Sequence, residues 1–344
     1  MTWAPLLLGD PSPCLRLLVL SELLNRGDDD PEVQELEEIR EDDPLVTSLV
    51  GLQNRDGSWR STGITASLAM SALQSTSQAL MRFGYLGLGS EYPPVKRGAE
   101  HLFSLQRDDG SWDIPRLDEA SAEMEGYSMM PLQTAIPLRA LASCGYAADP
   151  RCERAYEWLL DQRLDDGAWP TGIASGNYGY VAGYRRLAHS RWGCRSNTTG
   201  ALTCLALHPE HRNGREAQRA LDILLGRETK ERRTLGYETA RLIGVERARG
   251  FLTYYARFDL AQILDLCWRL GASTDDGRVA DTVEFVVGQQ GEYGLWEYVP
   301  APPASRWVTF DLLRSLSHLE ESREWITLEP RTPFQAYPRR RRRF

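Results

Sequence analysis

The sequence predicts an all-α fold: a ring of about six parallel inner helices wrapped by antiparallel outer ones. Three observations predict it. A glutamine is followed, six or seven residues on, by a tryptophan across a glycine turn in four places: Gln53 to Trp59, Gln106 to Trp112, Gln162 to Trp169 and Gln290 to Trp296. Each copy ends a helix-periodic stretch with one charged face. Each is followed, directly or after a loop, by a stretch of small and apolar residues. This spacing reads as tandem helical hairpins, which bury their apolar faces only against neighbours.

Outer helices are expected at residues 44–53, 95–106, 151–162 and 278–290. A fifth, at 215–227, has lost its Gln and Trp, and 31–40 is the candidate sixth. Asp43-Pro44 and Asp149-Pro150 supply helix-start signals. Inner helices are expected at 13–24, 65–73, 133–141, 198–206, 258–266 and 308–316, with Gly84, Gly145 and Gly271 as stops. In the repeat, Gly takes the positive φ of a tight turn, the Gln amide satisfies open backbone groups, and Trp covers the turn. These roles are structural rather than catalytic.

The chain of 344 residues carries 42% hydrophobic residues, enough for a sizeable core, and a formal charge of -8. That charge argues against a general nucleic-acid binder. No stretch is apolar for the roughly 18 residues of a membrane span. The start lacks a basic leader and is broken by Asp10, Pro11 and Pro13, so it reads as a first helix. Six scattered cysteines without a disulfide framework suggest reduced thiols and a cytoplasmic setting. One domain is expected over 1–325, then a disordered tail over 326–344, whose Arg339 to Arg343 run suits peripheral contact with anionic lipid.

Outer helix, Gln, Asp-Gly-x-Trp, then a small-residue inner helix resembles the repeat of squalene and oxidosqualene cyclases, whose relatives include the β subunits of protein prenyltransferases. The resemblance covers most of the chain. It implies an α/α toroid whose central cavity binds an isoprenoid or lipid-like molecule, with no cofactor. The superfamily's functional residues fare less well. The register of the cyclase acid motif falls on Met130-Pro-Leu-Gln133-Thr134-Ala135, where Met130, Leu132 and Gln133 stand in place of acids. The zinc ligands implied for prenyltransferases are missing, since 305–311 holds no histidine and Asp265-Leu-Cys267 lies too deep in its helix. Cys204 and His208, at i and i+4 with Cys194 and His211 nearby, could share a metal. The spacing matches no recognised site, and no metal is expected.

The inner helices offer single acids, Asp259 and Asp311, and Asp259 is the candidate catalytic acid or base. Because the inner helices run parallel, their positive N-terminal ends crowd one mouth, where Arg257 and Arg306 would bind an anion. Tyr255, Trp192, Trp307, Gln133 and Tyr184 complete the expected substrate-binding set. Three insertions surround the ring: aromatic and basic at 170–197, acidic at 113–130, with Asp118, Glu119, Glu123 and Glu125, and Arg-rich at 230–255. The leading reading is a cyclase or transferase of non-standard mechanism. A non-catalytic binding ring and a glycan-active α/α barrel with paired carboxylates are the alternatives.

Overall fold

A computed structural model describes residues 3–64, 71–113, 130–174, 176–226, 234–247, 254–291 and 293–320. The acidic insertion, apart from its first and last residues, and the Arg339 to Arg343 run lie outside the described residues. In chain order the helices are α1 (Ala4–Leu8), α2 (Pro13–Leu18), α3 (Pro31–Ile39), α4 (Pro44–Val50), α5 (Ala72–Tyr85), α6 (Pro93–Ser104) and α7 (Pro131–Leu141). They continue with α8 (Pro150–Asp161), α9 (Arg195–Leu207), α10 (Arg215–Leu225), α11 (Tyr237–Leu242), α12 (Leu260–Arg269), α13 (Gly277–Val287) and α14 (Ser305–Glu320). Two of the inner helices end in π-helical turns, Val19–Leu23 after α2 and Ala142–Tyr146 after α7. A two-residue hairpin, Ile173–Ala174 with Asn177–Tyr178, belongs to the aromatic insertion. No helix among the described residues is long and apolar enough to cross a membrane.

The inner helices pack in sequence, α5 on α7, α7 on α9, α9 on α12 and α12 on α14. The π-helical turn after α2 packs on α14 and closes the ring, so the fold is the expected all-α toroid. The second inner helix begins later than the expected 65–73. Ser71 caps α5 and exchanges hydrogen bonds with Gln74, a capping box that sets the start. Gly84 does not stop this helix. The left-handed residue is Gly87, three positions on, at φ 82°. Gly145 and Gly271 do take positive φ after their helices.

The four repeats share one geometry. Each tryptophan indole donates to a carbonyl ten residues earlier, at the end of its outer helix: Trp59 to Leu49, Trp112 to Leu102, Trp169 to Leu159 and Trp296 to Val286, at 2.7–2.8 Å. Each tryptophan N–H donates to a threonine on the following inner helix, Thr76, Thr134, Thr198 or Thr309. Gln53 and Gln106 also donate to the carbonyls of Pro94 and Arg151 in the next outer helix, both at 2.9 Å. In these two copies the motif ties turn, inner helix and next outer helix together, and all four tryptophans are buried. Where α10 lacks the motif, arginines take over. Arg219 donates to the carbonyl of Asp166 in the preceding turn, and Arg278 of α13 reaches Asp222 at 2.8 Å.

The sequence pattern did not predict α11. It lies within the Arg-rich insertion, and all six of its residues are buried inside the ring. Four inner helices hold it. Thr239 donates to Asp311 of α14 at 2.6 Å, Glu238 pairs with Arg139 of α7, and Gln78 of α5 donates to the Arg241 carbonyl. Asp259, at the head of α12, accepts from the N–H groups of Gly236 and Glu238 at 2.8 and 2.6 Å.

Candidate functional site

Charged residues on helices packed all round need a partner or a cavity. Here they have both. A cavity of about 350 Å³ lies at the C-terminal mouth of the ring, floored by Glu238, Thr239 and Leu242 of α11. Its lining combines apolar residues, Leu18, Met81, Leu207, Leu266 and Trp268, with charged ones, Glu22, Glu238, Asp265 and Asp311 among Arg139, Arg269 and Arg314. The π-helical turns contribute Glu22 and Ser143 to this lining.

Arg314, buried in α14, organises the acids. Its Nη2 donates to Asp311 Oδ1 at 2.8 Å and lies 3.5 Å from Asp265 Oδ1, while Nη1 donates to Glu22 at 3.3 Å. Arg269 donates from Nε to both oxygens of Asp265 at 2.9 Å. Burial works to raise Asp265, but the cations of Arg269 and Arg314 outweigh it and hold this carboxyl below the usual range. Asp311 goes the other way, because burial raises it and Arg314 only partly compensates. The other partners of Asp311 are hydroxyls, Tyr85 at 3.0 Å and Thr239 at 2.6 Å. A hydroxyl can turn from donor to acceptor, so Asp311 can take up or release a proton without a clash.

Asp259 is placed differently. It is buried off this cavity and caps two helices at once, since it also accepts from Ala261 N–H at 3.2 Å. Burial pushes it up to about 7 against these N–H groups. All three partners are backbone donors that cannot reverse, so its carboxylate is fully engaged in capping. The other expected site residues also lie off the cavity lining. Tyr255 accepts from Arg139, Arg257 lies over the Tyr237 ring at 4.0 Å, and Arg306 pairs with Asp10 at 3.0 Å. Trp307 packs on Tyr85, Trp192 on Tyr178, and Tyr184 is exposed. Gln133 caps its own helix by accepting from Met130 N–H at 2.6 Å.

The cysteine–histidine idea also resolves into separate contacts. Cys204 is buried and donates to the Ala135 carbonyl, while Cys194 lies beside Arg185. Glu153, His208 and His211 do gather their ligand atoms within 4.8 Å. However, His208 Nδ1 accepts the N–H groups of Glu210 and His211 at 3.1 Å, which leaves the ring proton on Nε2, pointing at Glu153 at 2.9 Å. That geometry suits a hydrogen bond rather than a metal.

None of the cavity acids and arginines was among the expected site residues, although Asp311 was recognisable as an acid on an inner helix. The signal for them was present: Asp265 with Arg269 at i,i+4 and Asp311 with Arg314 at i,i+3, on helices that are otherwise largely apolar over their middle turns.

No protein-family model matches the chain. Over 89 residues it is 32% identical to squalene–hopene cyclase of Bradyrhizobium diazoefficiens, a match covering 23% of this chain and 13% of that protein. The match therefore spans only about an eighth of the curated relative's length. Among solved structures, a protein from Actinoplanes aligns over 90% of each chain with 16% identity and TM-score 0.45. A type II terpene cyclase from Scytonema, solved with geranylgeranyl dihydroxybenzoate, aligns over 93% of this chain and 88% of its own, with 13% identity and TM-score 0.43. The chain is thus similar to the squalene cyclase-like repeat proteins.

Proposed function

We propose that the protein is an acid–base enzyme for a compact isoprenoid or similar lipid-like substrate, with Asp311 as proton donor and Asp265 as ionised partner. One observation carries this reading: two carboxylates on the same cavity are pulled apart in acidity on either side of Arg314. The amphipathic lining and the stretch similar to squalene–hopene cyclase support a lipid-like substrate. Arg314 bridges the two acids, which argues against their facing one another across a sugar. In the proposed step Asp311 gives its proton to a substrate double bond, forming a C–H bond and leaving a carbocation. The Tyr85 and Thr239 hydroxyls then stabilise the carboxylate by donating to it. Loss of a proton from the carbocation to Asp265 gives the rearranged alkene. Proton exchange with water then returns Asp265 to its ionised form and Asp311 to its acid form, so no co-reactant is needed.

The test is incubation with farnesyl and geranylgeranyl diphosphates, their alcohols and squalene, followed by product analysis. Asp311→Asn should lower turnover roughly 100-fold or more while the folded spectrum is kept. Neither turnover nor binding of any of these compounds would overturn the reading. A second reading, a ring that binds without catalysis, is favoured by the arginine partners of the cavity acids and by α11 filling the ring. Binding without turnover, unchanged in Asp311→Asn, would select it.

A further inference from the structure

Outside the cavity, at the same mouth, lies a groove of about 520 Å³. The two compartments share Gly84, Gly87 and Ser143 as a common wall. That wall is closed where Gly84 packs on the Ser143 backbone and open only at Gly87, where a Cβ would meet nothing closer than Arg40 Nη1 at 3.8 Å. The groove is polar, with Arg40, Glu41, Ser90, Glu91 and Tyr92, whereas half of the inner lining is apolar. This arrangement suits a molecule with an apolar body inside and a polar head outside.

The charges at this mouth then choose the head. Five carboxylates and the proton-donating Asp311 line the two compartments against four arginines, and each arginine is already committed. Arg40 pairs with Glu37 at 3.0 Å and donates to the Gly87 carbonyl, Arg139 pairs with Glu238, and Arg269 and Arg314 hold the acids described above. The inner helices α5, α9 and α12 also end here, bringing the partial negative charge of their terminal carbonyls. We infer that this mouth selects amphiphiles with a neutral or cationic head group, seated in the outer groove, and rejects diphosphates. The inference rests on the isoprenoid reading above; the anion-binding mouth expected from the sequence is the opposite, N-terminal end of the ring.

The experiment compares geranylgeraniol, geranylgeranylamine and geranylgeranyl diphosphate, which share a chain and differ in the head, in titrations of the full-length protein followed by tryptophan fluorescence. The alcohol and amine should bind, and the diphosphate should bind roughly tenfold more weakly or worse. The double variant Glu41→Gln/Glu91→Gln should narrow that gap by about threefold, and Ser90→Trp, which fills the groove alone, should weaken the alcohol and amine. Equal or tighter binding of the diphosphate overturns the inference while leaving the isoprenoid reading intact. An unchanged affinity in Ser90→Trp overturns the placement of the head. Failure of all three compounds to bind overturns this inference, and the isoprenoid reading falls with it if the farnesyl compounds and squalene also fail to bind.

Discussion

The two mouths of the ring contain buried aspartates of similar exposure and opposite use. At the N-terminal mouth, Asp259 spends both oxygens on three backbone N–H groups and so fixes the starts of α11 and α12. At the C-terminal mouth, Asp311 faces a cavity and is surrounded by two hydroxyls and one arginine. Burial raises both. The difference lies in the partners: immobile donors make a carboxylate part of the frame, while rotatable hydroxyls leave it able to exchange a proton. A raised pKa alone would not separate them.

The comparison breaks most visibly through Arg314. Arg314→Met removes the cation that Asp311, Asp265 and Glu22 share, and should cost about 3–5 kcal/mol in urea unfolding, since buried carboxylates are left without compensation. A loss under about 1 kcal/mol would mean that water already solvates those acids. Asp259→Asn should cost less, about 1–2 kcal/mol for damaged caps, and leave ligand binding unchanged. A loss of binding in that variant would return Asp259 to the site.

The same variant sharpens the contrast through pH. Burial places the folded Asp259 at about 7, above its unfolded value. The folded state therefore holds this proton more tightly, and its contribution is complete below roughly pH 4 and lost as pH rises through about 7. The stability of wild type minus that of Asp259→Asn should accordingly fall between pH 4 and 8; a flat difference would show that the three N–H groups keep the carboxylate ionised throughout. The smallest effect is expected at the rim. Trp169→Phe keeps an aromatic ring but loses the indole bond to Leu159, and should cost about 1 kcal/mol with the fold intact, checked by thermal unfolding.

These contrasts also mark how far the sequence could be read. The hairpins were legible because Gln, Gly and Trp recur at fixed spacing and each makes the same contacts in the folded ring. The late start of α5 was set by the local Ser71–Gln74 exchange, a signal weaker than the surrounding run of small residues. The six-residue helix α11 is too short for periodicity to detect, and most of what holds it comes from α5, α7 and α14 or from Asp259, far away in the chain. The site followed from α11, because the cavity takes its floor from that helix. Asp259 looked catalytic in sequence as an acid at the head of an apolar helix. A helix-capping acid gives the same pattern.

Ring closure has a consequence for how the chain is assembled. Arg306 meets Asp10 across 296 positions and Arg314 meets Glu22 across 292, whereas the Trp59–Thr76 fastening spans 17. Loop entropy grows only with the logarithm of length, about 0.6 kcal/mol per doubling, so joining the two ends costs roughly 2–3 kcal/mol more than closing one hairpin. Neighbouring hairpins can dock stepwise through short-range contacts, and the clasp between first and last helices then needs only a few buried side chains to hold the circle shut.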